Sequence, residues 1–443
     1  MKLPSLYVVS AGILLSCWQC VATAQQVQQP QLPQLLSQAL SEDYALAQSR
    51  QSEHALTNQG NAVQSMPDPR VSVGMLNVPT DGFALNEQAM TQLKLGVSQM
   101  LPRGDSVALQ RDALAAKAAE HPARRDLRKA EVTRAITLAW IDIIILHNSK
   151  ELVREQLQLL DQLTTAVENN YASSSGASQY DVLSMEVLHT ALEDRLESLT
   201  SSQQTAIAGL SNWLTPMQQA TLTNIIPNQA DQRWLTSLIG QSLLPVETSA
   251  LLARLQQHPL VISRNAVINV QKIKQQQVAT SFDPQWEFNA SYAYRQDATN
   301  NTSRADFVSV GMSVDVPLFS RKVKQAALAA TVAETESLET EKRLVIQQQL
   351  SEVNQLYARY PALHSRINRY EQTLLPLRQQ HYEAALNAYT TASGNFSDVM
   401  QSHLALIDDQ MKLLNLQGDM AALMTRLDYF LNPTTSELSG SSL

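Results

Sequence analysis

The sequence predicts a mostly α-helical protein that carries a small β-sheet region and is built from one unit used twice. The composition indicates helices, because the 443 residues include only 13 Gly, 17 Pro and 5% aromatic residues. Within each half of the chain, the spacing of apolar residues changes from a helical period to an alternating one and back. The sequence around Asp68-Pro69 also recurs around Asp283-Pro284, an offset of 215 residues (283 minus 68).

This single offset relates helical and alternating segments alike. It connects the following pairs: Leu36 and Leu251, Asp43-Tyr44 and His258-Pro259, Gly96 and Gly311, and Pro102 and Pro317. We therefore expect a first repeat over residues 25–215 and a second over 246–431. Residues 216–245 between them contain three Pro residues and Gly240 and predict a small insert at the waist of the helices. Residues 432–443 are rich in Ser and Thr and predict a flexible tail.

The first 24 residues have the pattern of a secretory signal peptide. Lys2 precedes an apolar run over residues 6–15, and the small residues at 22–24 mark a cleavage site. Both cysteines, Cys17 and Cys20, lie in this segment, so the mature chain is expected to have no disulfide and no cysteine chemistry. The alternative interpretation is that Cys17 ends a lipobox and becomes a lipidated N-terminus.

The charge and hydropathy of the chain exclude two classes of protein. A formal net charge of −8 without any Lys/Arg cluster excludes a basic surface for nucleic acid. After the signal segment, no apolar run reaches the roughly 18 residues of a membrane-spanning helix. The most apolar helical stretch, Ile136 to Leu146, is too short. A chain of this kind that crosses a membrane must cross it with strands.

Helical and alternating periods follow one another along each half. Residues 32–64 predict one amphipathic helix, since Leu35, Leu36 and Leu40 begin a three-to-four spacing. Four alternating segments predict strands. Their apolar positions are Val71, Val73, Met75, Leu93, Leu95 and Val97 in the first half, and Trp286, Phe288, Ala290, Tyr292, Tyr294, Val308, Val310, Met312, Val314 and Val316 in the second. The repeat offset preserves this phase, so the same face of each strand is expected to meet apolar surroundings.

The strand segments have the length of membrane strands. Each contains roughly ten residues, as a tilted strand that crosses a bilayer does. The alternative is a soluble domain with half-buried sheets. Four strands cannot close a barrel, and an open edge in lipid leaves backbone groups unpaired. Closure therefore requires other copies: two would give the smallest barrel, and three would give a twelve-stranded one with a lumen.

A long helix and a returning helix follow each strand pair. The first long helix is expected from Asp105 to about Asn169, which at 1.5 Å per residue is about 95 Å. The second is expected over residues 321–388. Their internal prolines, Pro122, Pro361 and Pro376, predict kinks or short breaks rather than ends.

Short tips join the long helices to the returning ones. Tyr171 and Gly176 lie in the first tip, and Tyr389 and Gly394 lie in the second. Each glycine can adopt the left-handed conformation that ends a helix. We therefore expect two antiparallel helical hairpins.

Together these features resemble the TolC-like family of outer-membrane efflux proteins, over about residues 25–430. The features that carry the resemblance are the duplication, the alternating strands, Pro102 and Pro317 at the strand-to-helix turns, and the tips with Tyr171, Gly176, Tyr389 and Gly394. The resemblance implies a homotrimer in the outer membrane. It also implies that the four strands of each chain close a twelve-stranded transmembrane β-barrel and that the helices form a long α-helical barrel across the periplasm.

The resemblance further implies a function and partners. Family members are passive exit ducts of tripartite efflux systems, loaded by an inner-membrane pump, here expected to be of the RND class, and by a periplasmic adaptor. The adaptor contacts the helix tips, here residues 171–181 and 389–398. A finer similarity, in MPDPRVSVGMLNVP and in VSQMLPRGD, is to the CusC/CzcC-type branch, which serves heavy-metal RND pumps. That branch usually has Gly-Lys where this chain has Gly104-Asp105.

Asp181 and Asp398 follow the two tips at equivalent places, next to the expected N-caps Ser178 and Ser397. In a trimer they would place six carboxylates at one narrow end, and we hypothesise that they border the periplasmic entrance and favour cations. The alternative is that each only stabilises the N-terminus of its helix.

No catalytic constellation is present, so the sequence predicts neither an enzyme nor a bound cofactor or metal. The eight histidines are scattered without ligand spacing, and no phosphate loop or nucleophile elbow occurs. His121 and His258, each before a proline, are interpreted as structural. The Met66, Met75, Met90 and Met100 thioethers are soft donors for Cu(I), although Met is also an adaptable packing residue.

Two other functions stay open from the sequence. The same architecture serves as the outer-membrane channel of type I polypeptide secretion. A helical structural or adhesion protein is the third candidate, although it would need neither alternating strands in matched phase nor closure by other copies.

Overall fold

The computed structural model of the protein describes residues 32–64, 66–172, 178–216, 226–243, 246–300, 302–316, 318–391 and 393–432. The signal segment with Cys17, Gly176, Pro317 and the tail beyond residue 432 lie outside this part, so the expectations for them stay predictions. The boundaries of the two repeats and of the insert over 216–245 stay predictions as well.

The described chain is mostly helical with four strands, which confirms the predicted composition of the fold. The first half contains α1 (Leu32–Ser41), α2 (Tyr44–Asn61), β1 (Arg70–Leu76), β2 (Gln92–Met100), α3 (Ser106–Ala172) and α4 (Gln179–Gly209). The insert contributes α5 (Gln229–Ile239). The second half contains α6 (Thr248–Gln256), α7 (Pro259–Ala279), β3 (Gln285–Tyr294), β4 (Phe307–Asp315), α8 (Arg321–Arg369), α9 (Leu375–Thr390) and α10 (Phe396–Leu431). The order of elements in the second half matches that of the first, with α8 and α9 together in the place of α3.

The helix predicted over residues 32–64 is in fact two helices. Asp43 interrupts it, because its carboxylate accepts a hydrogen bond of 2.8 Å from the Leu46 amide and starts α2 as an N-cap. His258, at the equivalent place in the second half, starts α7: its Nδ1 accepts from the Leu260 amide at 3.2 Å, and Pro259 occupies the first turn. A pair of short helices thus precedes the strands in both halves of the chain.

The long helices continue past their prolines, as predicted. α3 spans 67 residues and includes Pro122, and α8 includes Pro361. Before Pro376, the five residues Tyr370–Leu374 form a π-helical turn that joins α8 to α9. None of the described helices is both long and apolar enough to cross a membrane.

The apolar core lies among the helices. A first cluster surrounds Trp140 of α3, whose Nε1 donates to Asp231 Oδ1 at 3.3 Å and so fastens α5 to α3. A second cluster surrounds Met420 of α10 and Leu255 of α6. A third lies towards the helix tips and brings Met185 of α4 together with residues of α3 and α10. These clusters join helices from the first half of the chain to helices from the second half.

The four strands form one antiparallel sheet in the order β1-β2-β3-β4. In the first hairpin Val71 lies opposite Val97, and in the second Trp286 lies opposite Val314. The repeat offset alone would place Trp286 opposite Met312, so the two hairpins differ in register by two residues. A shift of two keeps every side chain on its own face, and the predicted phase is preserved.

Candidate functional site

One face of the sheet is apolar and exposed. The pairing places the apolar strand residues predicted from the sequence on this side: Val71, Val73, Met75, Leu93, Leu95, Val97, Trp286, Phe288, Ala290, Tyr292, Tyr294, Val308, Val310, Met312 and Val314. Val310, near the middle of β4, is 82% exposed, and most of the others are also exposed. We call this surface the apolar face. It is far more apolar than the surface of a protein that lives wholly in water.

The opposite side of the same sheet is mostly polar, although Leu76, Met100 and Phe307 also lie on it. Between the apolar positions lie Ser72, Gly74, Lys94, Gly96, Ser98, Glu287, Asn289, Ser291, Ala293, Ser309, Gly311, Ser313 and Asp315. We call this side the polar face. A sheet with one lipid-like and one water-like face separates two environments, as barrel strands in a membrane do.

Both edges of the sheet are open. β2 and β3 pair on two sides, whereas β1 and β4 pair on one side only within the described chain. Each edge therefore presents a row of backbone N–H and C=O groups that can pair with another strand.

Two arginines join the loops at the far end of the sheet. From the loop between β3 and β4, Arg304 Nη1 donates to the Gln88 carbonyl at 3.0 Å, and Arg295 Nη1 donates to the Ala89 carbonyl at 3.3 Å. Arg295 also lies over the Phe307 ring, 3.9 Å from its centroid. The loops of the two hairpins are thus held as one unit.

The inner end of the sheet, where the strands meet the helices, holds a polar junction inside the chain. Arg103 follows β2, donates to the Ser281 carbonyl and to Gln285 Oε1 at 3.3 Å each, and forms an ion pair with Asp315. Gly104 has a positive φ of 43°, and a Cβ there would collide with the carboxylate of Asp283. This junction binds the first hairpin to the second.

The predicted tip residues occupy matching helix positions. Asp181 is the third residue of α4: its Oδ2 accepts from the Ser178 amide at 2.8 Å, while its own amide donates to Ser178 Oγ at 3.3 Å, a capping box. Asp398 is the third residue of α10. Ser397 is not its cap, contrary to the prediction. The N-cap is Asn395, which makes no side-chain cap bond.

The remaining tip residues differ in exposure. Tyr171, near the end of α3, is exposed. Tyr389 packs on Phe396 with ring centroids 5.3 Å apart. Gly394 is so close to Ala388 that a Cβ would lie 2.9 Å from its methyl carbon, which leaves room only for glycine. Gly176 lies outside the described residues.

A buried ion pair between α9 and α10 is not predicted from the sequence. Asp409 of α10 accepts from Arg378 Nε at 2.8 Å and from Lys412 Nζ at 3.2 Å, and its side chain is almost fully buried. Burial alone would raise the pKa of Asp409, but the hydrogen bonds from Arg378 and Lys412 hold that pKa below its usual value. The only sequence signal is a carboxylate among the apolar residues of a helix.

Two buried histidines lie in the helical part. His258 Nε2 donates to the Tyr429 carbonyl at 3.1 Å, Gln349 Nε2 lies 3.1 Å from its Nδ1, and burial lowers the pKa of His258 to about 4. These contacts give His258 the structural role that was predicted. His403 is packed against the Tyr382 ring, and burial lowers the pKa of His403 as well. His121, by contrast, lies beside Ser49, with Nδ1 3.0 Å from Oγ.

The four methionines near β1 and β2 do not converge. Met75 is on the apolar face, whereas Met100 is on the polar face opposite Glu287. Met66 and Met90 are exposed outside the strands. Within the described residues, no group of three His, Cys, Asp or Glu side chains could hold a metal ion.

Sequence comparisons and structure comparisons differ in what they find. No family model matches the sequence, and no curated protein matches it. The structure resembles the outer membrane protein VceC from Vibrio cholerae, with 18% identity, a TM-score of 0.69, and coverage of 92% of this chain and 97% of VceC. It resembles the Campylobacter jejuni CmeC outer membrane channel with 9% identity, a TM-score of 0.68, and coverage of 97% and 94%.

CusC, whose structures describe transmembrane channel formation, is similar to the same degree. Its identity is 13%, its TM-score is 0.70, and the match covers 90% of this chain and 92% of CusC. At these identities the similarities establish a shared fold across nearly the whole chain. They do not single out CusC, since its TM-score of 0.70 differs from those of VceC and CmeC by only 0.01 and 0.02.

Proposed function

We propose that this protein is an outer-membrane exit channel that passively conducts substrates delivered by a pump and an adaptor from the periplasm to the outside. The observation that carries this proposal is the exposed apolar face of the sheet backed by its polar face. Each large apolar side chain that stays in water forgoes about 1.5–3 kcal/mol of burial free energy. A soluble monomer would therefore be penalised many times over, whereas lipid removes the penalty.

The dimensions of the elements fit a duct across two compartments. β2, β3 and β4 have nine, ten and nine residues, the length of strands that cross a bilayer at a tilt, whereas β1 has seven and is shorter than the predicted ten. α3, with 67 residues, is about 100 Å long, enough to extend far from the membrane. A homotrimer would join twelve strands into a barrel with the polar face towards the lumen, and would place the helices in the periplasm.

The helix tips are the proposed contact for the periplasmic adaptor, through residues that include Tyr171, Gly176, Tyr389 and Gly394. At the first tip, three exposed apolar side chains of α4 recur at helical spacing: Tyr180, Leu183 and Val187. An exposed stripe of this kind suits the packing of a partner helix. The adaptor would connect the channel to an inner-membrane pump of the RND class.

Asp181 and Asp398 form the proposed acidic border of the periplasmic entrance. Their matched place at the third position of each helix supports a ring of carboxylates in a trimer. Replacing both with Asn should reduce the preference for cations over anions in single-channel recordings. If the ion preference stays the same, the two carboxylates serve only their helix N-termini.

Heavy-metal ions are the finer proposal for the substrate, and the similarity of the strand region to the CusC/CzcC-type branch supports it. Deletion of the gene, together with complementation by the intact chain, should change tolerance to copper, silver, zinc or cadmium salts. If tolerance to detergents or antibiotics changes instead, the substrate is an organic molecule.

Planar-bilayer recording of the detergent-purified protein, with its mass measured in the same preparation, tests the proposed function. We expect trimers that insert and carry a stable current. A monomeric species without current would contradict a membrane channel and would assign the sheet to a periplasmic domain.

A further inference from the structure

The internal repeat allows the missing neighbour of each sheet edge to be identified. Inside the chain, the second strand of the first repeat, β2, pairs with the first strand of the second repeat, β3. β4 is the second strand of the second repeat, as β2 is of the first, and β1 is the first strand of the first repeat, as β3 is of the second. The outer edges of β4 and β1 are both open. The arrangement that joins the repeats within the chain can therefore be applied again between two chains.

We propose that β4 of one copy pairs with β1 of the next copy in the register of β2 and β3, and that Leu318 and Phe319 close over Met66 of that copy. We call this contact the seam. The inference rests on the proposed function, because the seam is the contact by which copies would close the barrel. It goes further by assigning the register and the residues of that contact.

The register follows from the pairing of Ser98 with Asn289. Shifted by one repeat, this pair becomes Ser313 of β4 opposite Gly74 of the next copy. The neighbouring apolar positions then place Val314 opposite Val73. Val314 thus meets Val73 and Met312 meets Met75 on the apolar face. On the polar face Ser313 meets Gly74 and Asp315 meets Ser72, whereas Gly311 meets Leu76. Both faces of the sheet therefore continue from one copy to the next.

Barrel geometry agrees with this register. Val73 lies opposite Leu95, Leu95 opposite Tyr292, and Tyr292 opposite Val308. In the proposed register Val308 lies opposite Pro79 of the next copy. Crossing the four strands of one chain therefore shifts the position along β1 from residue 73 to residue 79, about six residues per chain. With a rise of about 3.3 Å per residue and a strand spacing of about 4.8 Å, three copies have a strand tilt of about 45°. Two more residues per chain would raise the tilt to about 54°, above the usual range of about 35–45°.

The inner end of the seam differs chemically from the junction inside the chain. There, Arg103 and Gly104 meet Ser281 and Asp283. One repeat further on, Arg103 and Gly104 become Leu318 and Phe319, while Ser281 and Asp283 become Met66 and Asp68 of the next copy.

The apolar groups on both sides of the seam are uncovered in the single chain. Phe319 is 100% exposed, Leu318 is also strongly exposed, and Met66 is 57% exposed. At the seam, a contact among Leu318, Phe319 and Met66, bordered by Asp68, thus takes the place of the junction around Arg103. This contact buries apolar side chains that the single chain leaves in water.

Disulfide formation tests the register. The Leu101 amide donates to the Trp286 carbonyl at 2.8 Å, so by alternation the pair of Ser98 and Asn289, and with it Ser313 and Gly74, is not hydrogen-bonded. Such pairs have Cα atoms about 4.5 Å apart, within reach of a disulfide. Gly74 has open space for a side chain. Residues two positions out of register are about 7–8 Å apart and link poorly.

The experiment compares four double variants of the full chain in membranes. Gly74→Cys with Ser313→Cys should convert most chains into covalent trimers on a denaturing gel without reductant. Ser72→Cys with Ser313→Cys and Leu76→Cys with Ser313→Cys should link at least tenfold less. Ser98→Cys with Asn289→Cys should link within one chain and yield no oligomer. Preferential linking of either shifted pair would overturn the proposed register.

Substitution at the inner end tests the apolar contact. Phe319→Ser should lower the fraction of chains that run as trimers after mild heating in detergent at least severalfold. The matched control is Val323→Ser, because Val323 is also strongly exposed but lies on α8 outside the seam. An equal effect of both substitutions, or none from Phe319→Ser, would indicate that lipid rather than a second copy covers Phe319.

The seam and the proposed function can fail separately. If the unsubstituted protein is a conducting trimer but no seam pair links, the channel stands and the proposed seam is wrong. If it neither assembles nor conducts, the proposed function fails first and the seam fails with it.

Discussion

The helices and the sheet use the same kinds of apolar residue in opposite ways. In the helical part, Ile136 and Trp140 are fully buried by other parts of the chain. In the sheet, Val310 and its neighbours on the apolar face are exposed. A regular apolar pattern therefore identifies a surface that must be covered, but it does not identify what covers it. The helical core is covered within the chain, whereas in the proposed channel the sheet would be covered by lipid on its apolar face and by another copy at its edge.

Replacing a tryptophan in each region should give the largest difference in the free energy of unfolding. Trp140→Ala removes a buried ring and its bond to Asp231, and should lower the free energy of unfolding by about 3–5 kcal/mol. Trp286→Ala on the apolar face should cost about 1 kcal/mol, since lipid can fill the space. Denaturant titration of the helical circular dichroism in detergent measures both. Equal losses would mean that the sheet is also packed against protein.

Introducing a lysine should have a different free-energy cost on the two faces of the sheet. Val310→Lys should cost about 2–4 kcal/mol if that residue faces the middle of a bilayer. Ser309→Lys, one residue earlier and on the polar face, should cost less than about 1 kcal/mol. The fraction of trimer recovered from membranes reports the difference. Similar tolerance of both lysines would contradict a lipid-facing surface.

Asp408 and Asp409, two neighbouring residues of α10, form an exposed and a buried ion pair. Arg378→Ala leaves the buried Asp409 carboxylate with Lys412 alone and should cost about 1–3 kcal/mol. Arg195→Ala removes the exposed pair with Asp408, whose atoms are 2.9 Å apart, and should cost at most about 1 kcal/mol. Thermal unfolding of the two variants at the same salt concentration gives the ranking, and the reverse ranking would contradict the burial of Asp409.

The pH dependence of the helical core is the smallest expected effect. The pKa of His258 is about 4 in the folded chain and about 6.5 when unfolded, so the unfolded state binds the extra proton. Stability should therefore fall as the pH drops below about 6.5, by about 1 kcal/mol between pH 7 and pH 5.5. His258→Asn keeps a capping side chain and should flatten this slope. An unchanged slope would assign the titration to another group.

Much of the fold could be predicted from the sequence because it depends on local periodicity. The alternation at Val71, Val97, Trp286 and Val314 predicts the strands and their faces, and the repeat predicts the order of elements. The break at Asp43 was overlooked, although an Asp at an N-cap is a recognised signal.

Other features depend on contacts that periodicity does not encode. The two-residue difference in hairpin register depends on the geometry of each loop and on the pairing with neighbouring strands. The ion pair of Arg378 and Asp409 joins residues of different helices, so it appears only after the helices are packed. For the tips, the sequence places Asp181 and Asp398 at equivalent positions, but it does not identify Asn395 as the cap.

The orientation of the sheet in the membrane is the central claim, and nitroxide labels at two adjacent positions test it most directly. Val310→Cys and Ser309→Cys, labelled separately in reconstituted vesicles, report relaxation by oxygen, which concentrates in lipid, and by a water-soluble nickel chelate. We expect the label at 310 to respond to oxygen and the label at 309 to respond to nickel. Responses to nickel at both positions would contradict the account, because the apolar face would then be in water.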